Sequence, residues 1–247
     1  MKVLATYSIK GGVGKTTSAV NLAYEAAEAG ARVIVWDLDP QAAATYLLRA
    51  KPRLKGGADT LVGKKGALEG HIRSTEFGSI NVIAADFSMR NLDVRLDEVQ
   101  RPVERFAALL EPIQDDYDVA LLDCAPSISI ASESVFGAAD ALLVPTIPTA
   151  LSERTLLQLI DFLADWKQPP MVLPFVSMID RRRKLQRDIA DRLHTDWPDF
   201  LPTEIPNASI VEQVSTSRGP LGALATGSPA AAAYRQLWAD ISSLLWL

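Results

Sequence analysis

Along most of the 247-residue chain, short β-branched apolar runs alternate with longer stretches whose apolar residues recur every three to four positions. The short runs read as buried strands over residues 2–9, 31–36 (ARVIVW), 79–85 (SINVIAA), 117–123 (YDVALLD), 141–145 (ALLVP) and 171–176. The longer stretches predict helices over 15–29, 90–111 and 152–166. A further helix follows residue 180, with Leu185, Ile189 and Leu193 as its buried stripe. A last one spans 229–246, carrying Tyr234, Leu237, Trp238, Ile241, Leu244 and Leu245 on one face as a core-packing stripe. Gly30 is a natural helix stop, and Pro102 predicts a break near Arg101. Ser152 with Thr155 is a candidate cap for the 152–166 helix. Strand and helix alternate without a linker, repeat or low-complexity tract. The expected fold is therefore α/β: a single domain over 1–247 with a doubly wound, mostly parallel sheet and helices on both faces.

Composition narrows the function. Hydrophobic residues make up 48% of the chain, enough for a sizeable core, and the net charge of -5 means that any nucleic-acid contact must come from a local patch. The single cysteine, Cys124, excludes an internal disulfide and a cysteine-held cluster, and Cys124 itself reads as a packing residue. With only His71 and His194, no zinc spacing exists, and His71 reads as a surface residue. The chain enters a strand directly, with no signal peptide, and no apolar run reaches the roughly 18 residues of a membrane span. A cytosolic protein is expected.

The chemistry lies in Ser8-Ile9-Lys10-Gly11-Gly12-Val13-Gly14-Lys15-Thr16-Thr17. A strand, a glycine-rich turn and a helix start, in that order, form a phosphate-binding loop. Its backbone N–H groups can close around an anion because glycine adds no Cβ, and the helix start adds unpaired donors and a positive dipole end. Lys15 would reach the β- and γ-phosphates of a nucleotide, and the Thr16 hydroxyl would sit on Mg²⁺. The loop departs from the general pattern: Ile9 stands where a glycine is usual, and a second lysine, Lys10, follows. Two acids, in Asp37-Leu38-Asp39-Pro40-Gln41, end the second strand, at the ligand edge of such sheets. Another strand ends at Asp123, in the position of a Walker B magnesium ligand.

These three motifs, in this order, resemble the ParA/MinD family of ATPases with a deviant Walker A loop, nearest to its short partitioning members. The resemblance covers nearly the whole chain. It implies ATP and Mg²⁺ as cofactors, with Gly11, Gly12, Val13, Gly14, Lys15, Thr16 and Thr17 around the phosphates and Thr16, Asp39 and Asp123 around the metal. It also implies that Lys10 crosses a homodimer interface to the partner's nucleotide, and that Asp39 positions the attacking water or the metal shell and opens a switch segment at Pro40. Ala125 stands where the family's D-x-P-P-S has its first proline, and Asn207 where the segment near the adenine often carries arginine.

A basic cluster, Arg181, Arg182, Arg183, Lys184 and Arg187, suits contacts to phosphodiesters without base reading. Arg218 is the second candidate, and the resemblance implies non-specific DNA as the surface both would contact. Residues 50–79 are loop-rich and basic through Lys51, Arg53, Lys55, Lys64 and Lys65, and read as a solvated insertion with a minor share in DNA or partner contact. The expected function is a slow, partner-stimulated ATPase, nucleoid-associated. It would bind DNA in its ATP state and position a plasmid, chromosome origin or protein-based cargo through a ParB-like adaptor. The alternative is a MinD-like membrane-surface ATPase in division-site placement. No Lys or Arg follows Arg235 in the last helix, so a basic amphipathic tail is not present and no stable membrane association is expected. A metabolic P-loop enzyme is the third possibility. Without an extension ahead of the first strand, sequence-specific operator binding is not expected.

Overall fold

The computed structural model describes residues 1–63 and 66–246, so Lys64 and Lys65 of the basic loop lie outside the described residues. In chain order the elements are β1 (Lys2–Thr6), α1 (Lys15–Glu28), β2 (Val33–Asp37), α2 (Ala43–Leu47), α3 (Gly57–Val62), β3 (Ile72–Ser74), β4 (Ile80–Ile83), α4 (Leu92–Asp97), α5 (Arg105–Leu110) and β5 (Val119–Asp123). There follow α6 (Ile130–Ala138), β6 (Ala141–Thr146), α7 (Ala150–Ala164), β7 (Met171–Ile179), α8 (Lys184–Asp196), β8 (Glu204–Pro206), α9 (Ser209–Ser217), α10 (Leu221–Leu224) and α11 (Pro229–Leu245).

The eight strands form one sheet in the order β3-β4-β2-β5-β1-β6-β7-β8. Only the β3–β4 pair is antiparallel. This is the doubly wound, mostly parallel sheet with helices on both faces that the alternating pattern predicts. The period-two rule shows in the core: Val3, Ala5, Ile34, Trp36, Ala120 and Leu122 pack beneath α3 to α8. Their immediate neighbours Leu4, Val33, Val35, Val119 and Leu121 pack on the other face, beneath α1, α2 and α9 to α11. Strands covered on both sides must be apolar at every position, which is why they read as unbroken hydrophobic runs.

The break expected near Arg101 is present: Arg101 has φ +54°, and the 90–111 run divides into α4 and α5, joined through a 3₁₀ turn at Pro102–Glu104. Other local expectations change. The 152–166 helix starts two residues earlier, and its cap is Thr149 rather than Ser152; the Thr149 hydroxyl accepts the Ser152 N–H at 3.3 Å. The edge strands β3 and β8 carry three residues each, too short for a periodicity signal. In α11, Leu244 is exposed while Tyr234, Leu237, Trp238 and Ile241 are buried.

Candidate functional site

The parallel register sets out the site. Thr6, Asp37 and Asp123 end β1, β2 and β5, and Asp123 lies directly beside both of the others. Neighbouring strands are about 4.8 Å apart, so two fully buried carboxyls are held side by side at the carboxyl edge of the sheet. Burial is the main cause that raises both pKa values. Asp37 is pushed up to about 6 and Asp123 well above the ordinary carboxylate range, with each acid's neighbours adding repulsion. Asp37 is well supplied with donors: the backbone N–H groups of Asp39 and Thr45 and the Thr45 hydroxyl, at 3.1, 2.8 and 2.7 Å. Asp123 is not. Its Oδ1 accepts a long 3.3 Å bond from the Thr6 hydroxyl, and its Oδ2 has no hydrogen-bond partner among the described residues. A buried acid oxygen without a donor is costly unless something cationic joins it.

The loop after β1 supplies the other half. Gly12 and Gly14 have φ values of +71° and +96°, where any Cβ would be strained, and Gly14 leads straight into α1. Lys15 is buried and its ammonium donates to the Lys10 carbonyl at 2.9 Å, folded back on its own loop. Burial lowers its pKa, opposed by the nearby Asp123. Thr16 and Thr17 sit half-buried in the first turn of α1, and Gly11 and Gly12 are exposed at the rim. Val13 is buried, its carbonyl accepting the Ser177 hydroxyl at 2.8 Å. Ser177 reaches it from a bulge in β7, where the pairing with β8 slips and Met178 takes φ +57°. Lys10 extends along the outside and donates to the Ser152 hydroxyl at 3.2 Å. Asp39 stands at the rim, its Oδ1 accepting the Gln41 N–H at 2.8 Å.

The structure therefore brings together Lys15, Thr16, Asp39 and Asp123 around the loop. Sequence reasoning gave no role to Asp37, Thr45, Thr6 or Ser177. Asp37 was visible as the first acid of its motif, but its register with Asp123 appears only once β5 is inserted between β1 and β2. Cys124 is buried, as expected, and its thiol pKa is pushed up by that burial.

The basic residues fall in two separate places. Arg181, Arg182 and Arg183 precede α8 and are engaged by acids: Arg181 with Glu204 at 2.7 Å, Arg182 and Arg183 with Asp180 at 2.9 and 3.5 Å. Arg187 donates to the Arg181 carbonyl at 2.6 Å, and Lys184 opens the helix, exposed. Leu185 is not part of the buried stripe; in the first turn of α8 it is 71% exposed, and Ile189 and Leu193 do the packing. Arg218 does not join this group. It lies against α2, its guanidinium 4.3 Å from the Tyr46 ring centre and its Nε donating to the Tyr46 carbonyl at 3.0 Å.

A parallel sheet with a glycine-rich loop entering a helix, a buried lysine on that loop and strand-end acids beside it define a P-loop nucleotide-binding protein. The AAA domain family profile matches residues 1–170. The chromosome partitioning protein ParA of Caulobacter vibrioides is 31% identical over 229 residues, covering 89% of this chain and 84% of its own. The chain belongs to the ParA/MinD family of ATPases. Solved structures share the fold at lower identity. An ATP complex of a Cyanothece McdA variant superposes with a TM-score of 0.85 at 20% identity, over 98% of this chain and 96% of that one. The septum site-determining protein MinD from Pyrococcus horikoshii, complexed with Mg-ADP, gives 0.80 at 19% identity, over 99% and 97%.

Proposed function

We propose that the chain is a partitioning ATPase that dimerises on ATP, binds DNA without sequence preference in that state, and positions a cargo through an adaptor that stimulates hydrolysis. The observation that carries the nucleotide-binding part of this reading is the buried Asp123 Oδ2, without a partner among the described residues, beside a two-lysine phosphate loop. ATP and magnesium fit these residues: the loop N–H groups from Gly11 to Thr16 for phosphate oxygens, and Thr16, Asp39 and Asp123 for the metal or its water shell. When bound, the magnesium supplies charge compensation for the phosphates. Lys15 exchanges the Lys10 carbonyl for phosphate oxygens. Asp39, half-buried at the rim ahead of Pro40, orients the attacking water. Lys10 exchanges Ser152 for the partner's nucleotide. Phosphoryl transfer needs positioning and charge stabilisation more than covalent chemistry, and these groups provide both.

The relative's name, a chromosome partitioning protein, supports the DNA-surface reading over a membrane one. So does the last helix, which turns its stripe into the core and carries no Lys or Arg between residues 236 and 246. Among the described residues no helix is long and apolar enough to cross a membrane. A cytoplasmic, nucleoid-bound protein follows from this reading. The test is binding to random-sequence duplex DNA with ATP against ADP at two salt concentrations, beside anionic liposomes. Salt-sensitive binding to DNA with ATP alone is the expected result; ATP-dependent binding to liposomes without DNA binding would transfer the protein to the membrane-surface class.

A further inference from the structure

Between the end of α2 and the edge strand β3 lies a solvent-facing hollow of about 510 Å³. Five of its seven lining residues are cations, Arg49, Lys51, Arg53, Lys55 and Arg73, and none is acidic. Lys51, Arg53 and Lys55 are exposed and form no ion pair among the described residues. Arg49 pairs with Glu76 at 2.8 Å, the one acid among the described residues that pairs with a lining residue. Arg73 lies on the open edge strand, its guanidinium turned to the carbonyls of Gly70 and Ile72. The contrast with the Arg181–Arg183 turn is sharp, because each of those arginines already faces a carboxylate.

Arg218 borders this hollow. Its carbonyl accepts the Arg49 Nε at 2.7 Å, while the Ser217 carbonyl accepts Arg49 Nη2 at 3.3 Å. The hollow is also tied to the nucleotide site. Arg49 comes two residues after the end of α2, and Thr45 within α2 is bonded to Asp37, two residues before Asp39.

We propose that this hollow, with Arg218 at its border, is a contact surface for the phosphate backbone of duplex DNA, separate from the Arg181–Arg187 cluster. The inference rests on the DNA-surface reading above and specifies where the duplex lies. Duplex DNA carries one negative charge per about 1.7 Å of its axis, which suits several unpaired cations gathered in one concavity. The lining has no large apolar residue to enter a bilayer, and its solvent-facing cations suit the sugar-phosphate backbone, which carries no sequence information.

The test uses the full chain with ATP and magnesium and a fluorescently labelled random-sequence duplex, titrated in anisotropy over a range of salt. The variant combines Lys51→Glu, Arg53→Glu and Lys55→Glu; all three residues are exposed and outside the nucleotide site. Its affinity is expected to fall by about tenfold or more near 0.1 M salt. The slope of log affinity against log salt should shrink by up to about 3, roughly one for each lost phosphate contact. A companion with the same three residues changed to Gln should shrink the slope similarly with a smaller loss of affinity. It also decides the matter should the charge-reversed protein fail to bind ATP. Wild-type affinity and slope in the Gln variant, with wild type itself binding duplex, would overturn this surface and leave the DNA-surface ATPase standing. Absence of duplex binding by wild type would remove both. Binding of wild type to phosphatidylserine vesicles in place of duplex, lost in the variants, would assign the hollow to lipid and overturn the proposal.

Discussion

Asp123 shows how a single atom states what a site lacks. Its Oδ2 is buried without a donor among the described residues, and burial, with the Asp37 carboxyl beside it, disfavours its charged form until a cation joins it. Asp123→Asn is expected to weaken magnesium-dependent nucleotide binding by at least about tenfold while leaving the fold intact, read by calorimetry with and without magnesium. Lys15→Ala should abolish nucleotide binding in the same assay, and near-normal affinity would undo the loop assignment. Asp39→Ala should slow phosphate release by about 10²-fold or more and accumulate the ATP-bound form; unchanged turnover would remove Asp39 from the mechanism. A residue far from the site gives a pH prediction. Asp118 accepts three bonds from Arg32, at its backbone N–H, Nε and Nη2, and these hold its pKa down at about 2 against an ordinary 3.8. As pH falls the unfolded chain takes up this proton first, so the stability from the pair is complete above about pH 4 and lost as pH drops through about 2. Asp118→Asn should flatten the acid limb of a stability–pH curve in that window.

At the scale of elements, the site depends on how helices and strands end. The Gly12–Gly14 turn works because Ser177, on the β7 bulge, pins the Val13 carbonyl from the other side. Helix α7 begins at a Thr149 cap, which places Ser152 under Lys10. Thr149→Ala is expected to cost about 1 kcal/mol in chemical denaturation, the usual worth of such a cap. Much of this level was legible. The runs ending at Asp37 and Asp123 are strands because every position is apolar, and the Gly30 stop follows from its φ of +96°. What could not be read were the pieces held by contacts remote in sequence. The β3 and β8 edges owe their pairing to β4 and β7.

The proposed ATP-driven closure belongs to the scale of the whole molecule. Lys10 rests on Ser152 of its own chain, so the proposed reach to a partner would require that this bond be exchanged. Lys10→Ala should bind ATP as a single chain yet fail to form the ATP-dependent dimer; normal dimers in light scattering would sink the cross-interface role. The order of motifs along the chain determined the family, the sheet's parallel character and the identity of the phosphate loop, because each depends on residues adjacent in sequence: apolar runs, glycines and a helix start. Only the tertiary structure decided that Asp37 and Asp123 share one buried corner, that Ser177 supports the loop, and that Arg218 belongs with Arg49 rather than with Arg181. Those pairings are set by strand order and by packing across the sheet, where residues remote in sequence meet, and no local pattern carries that information.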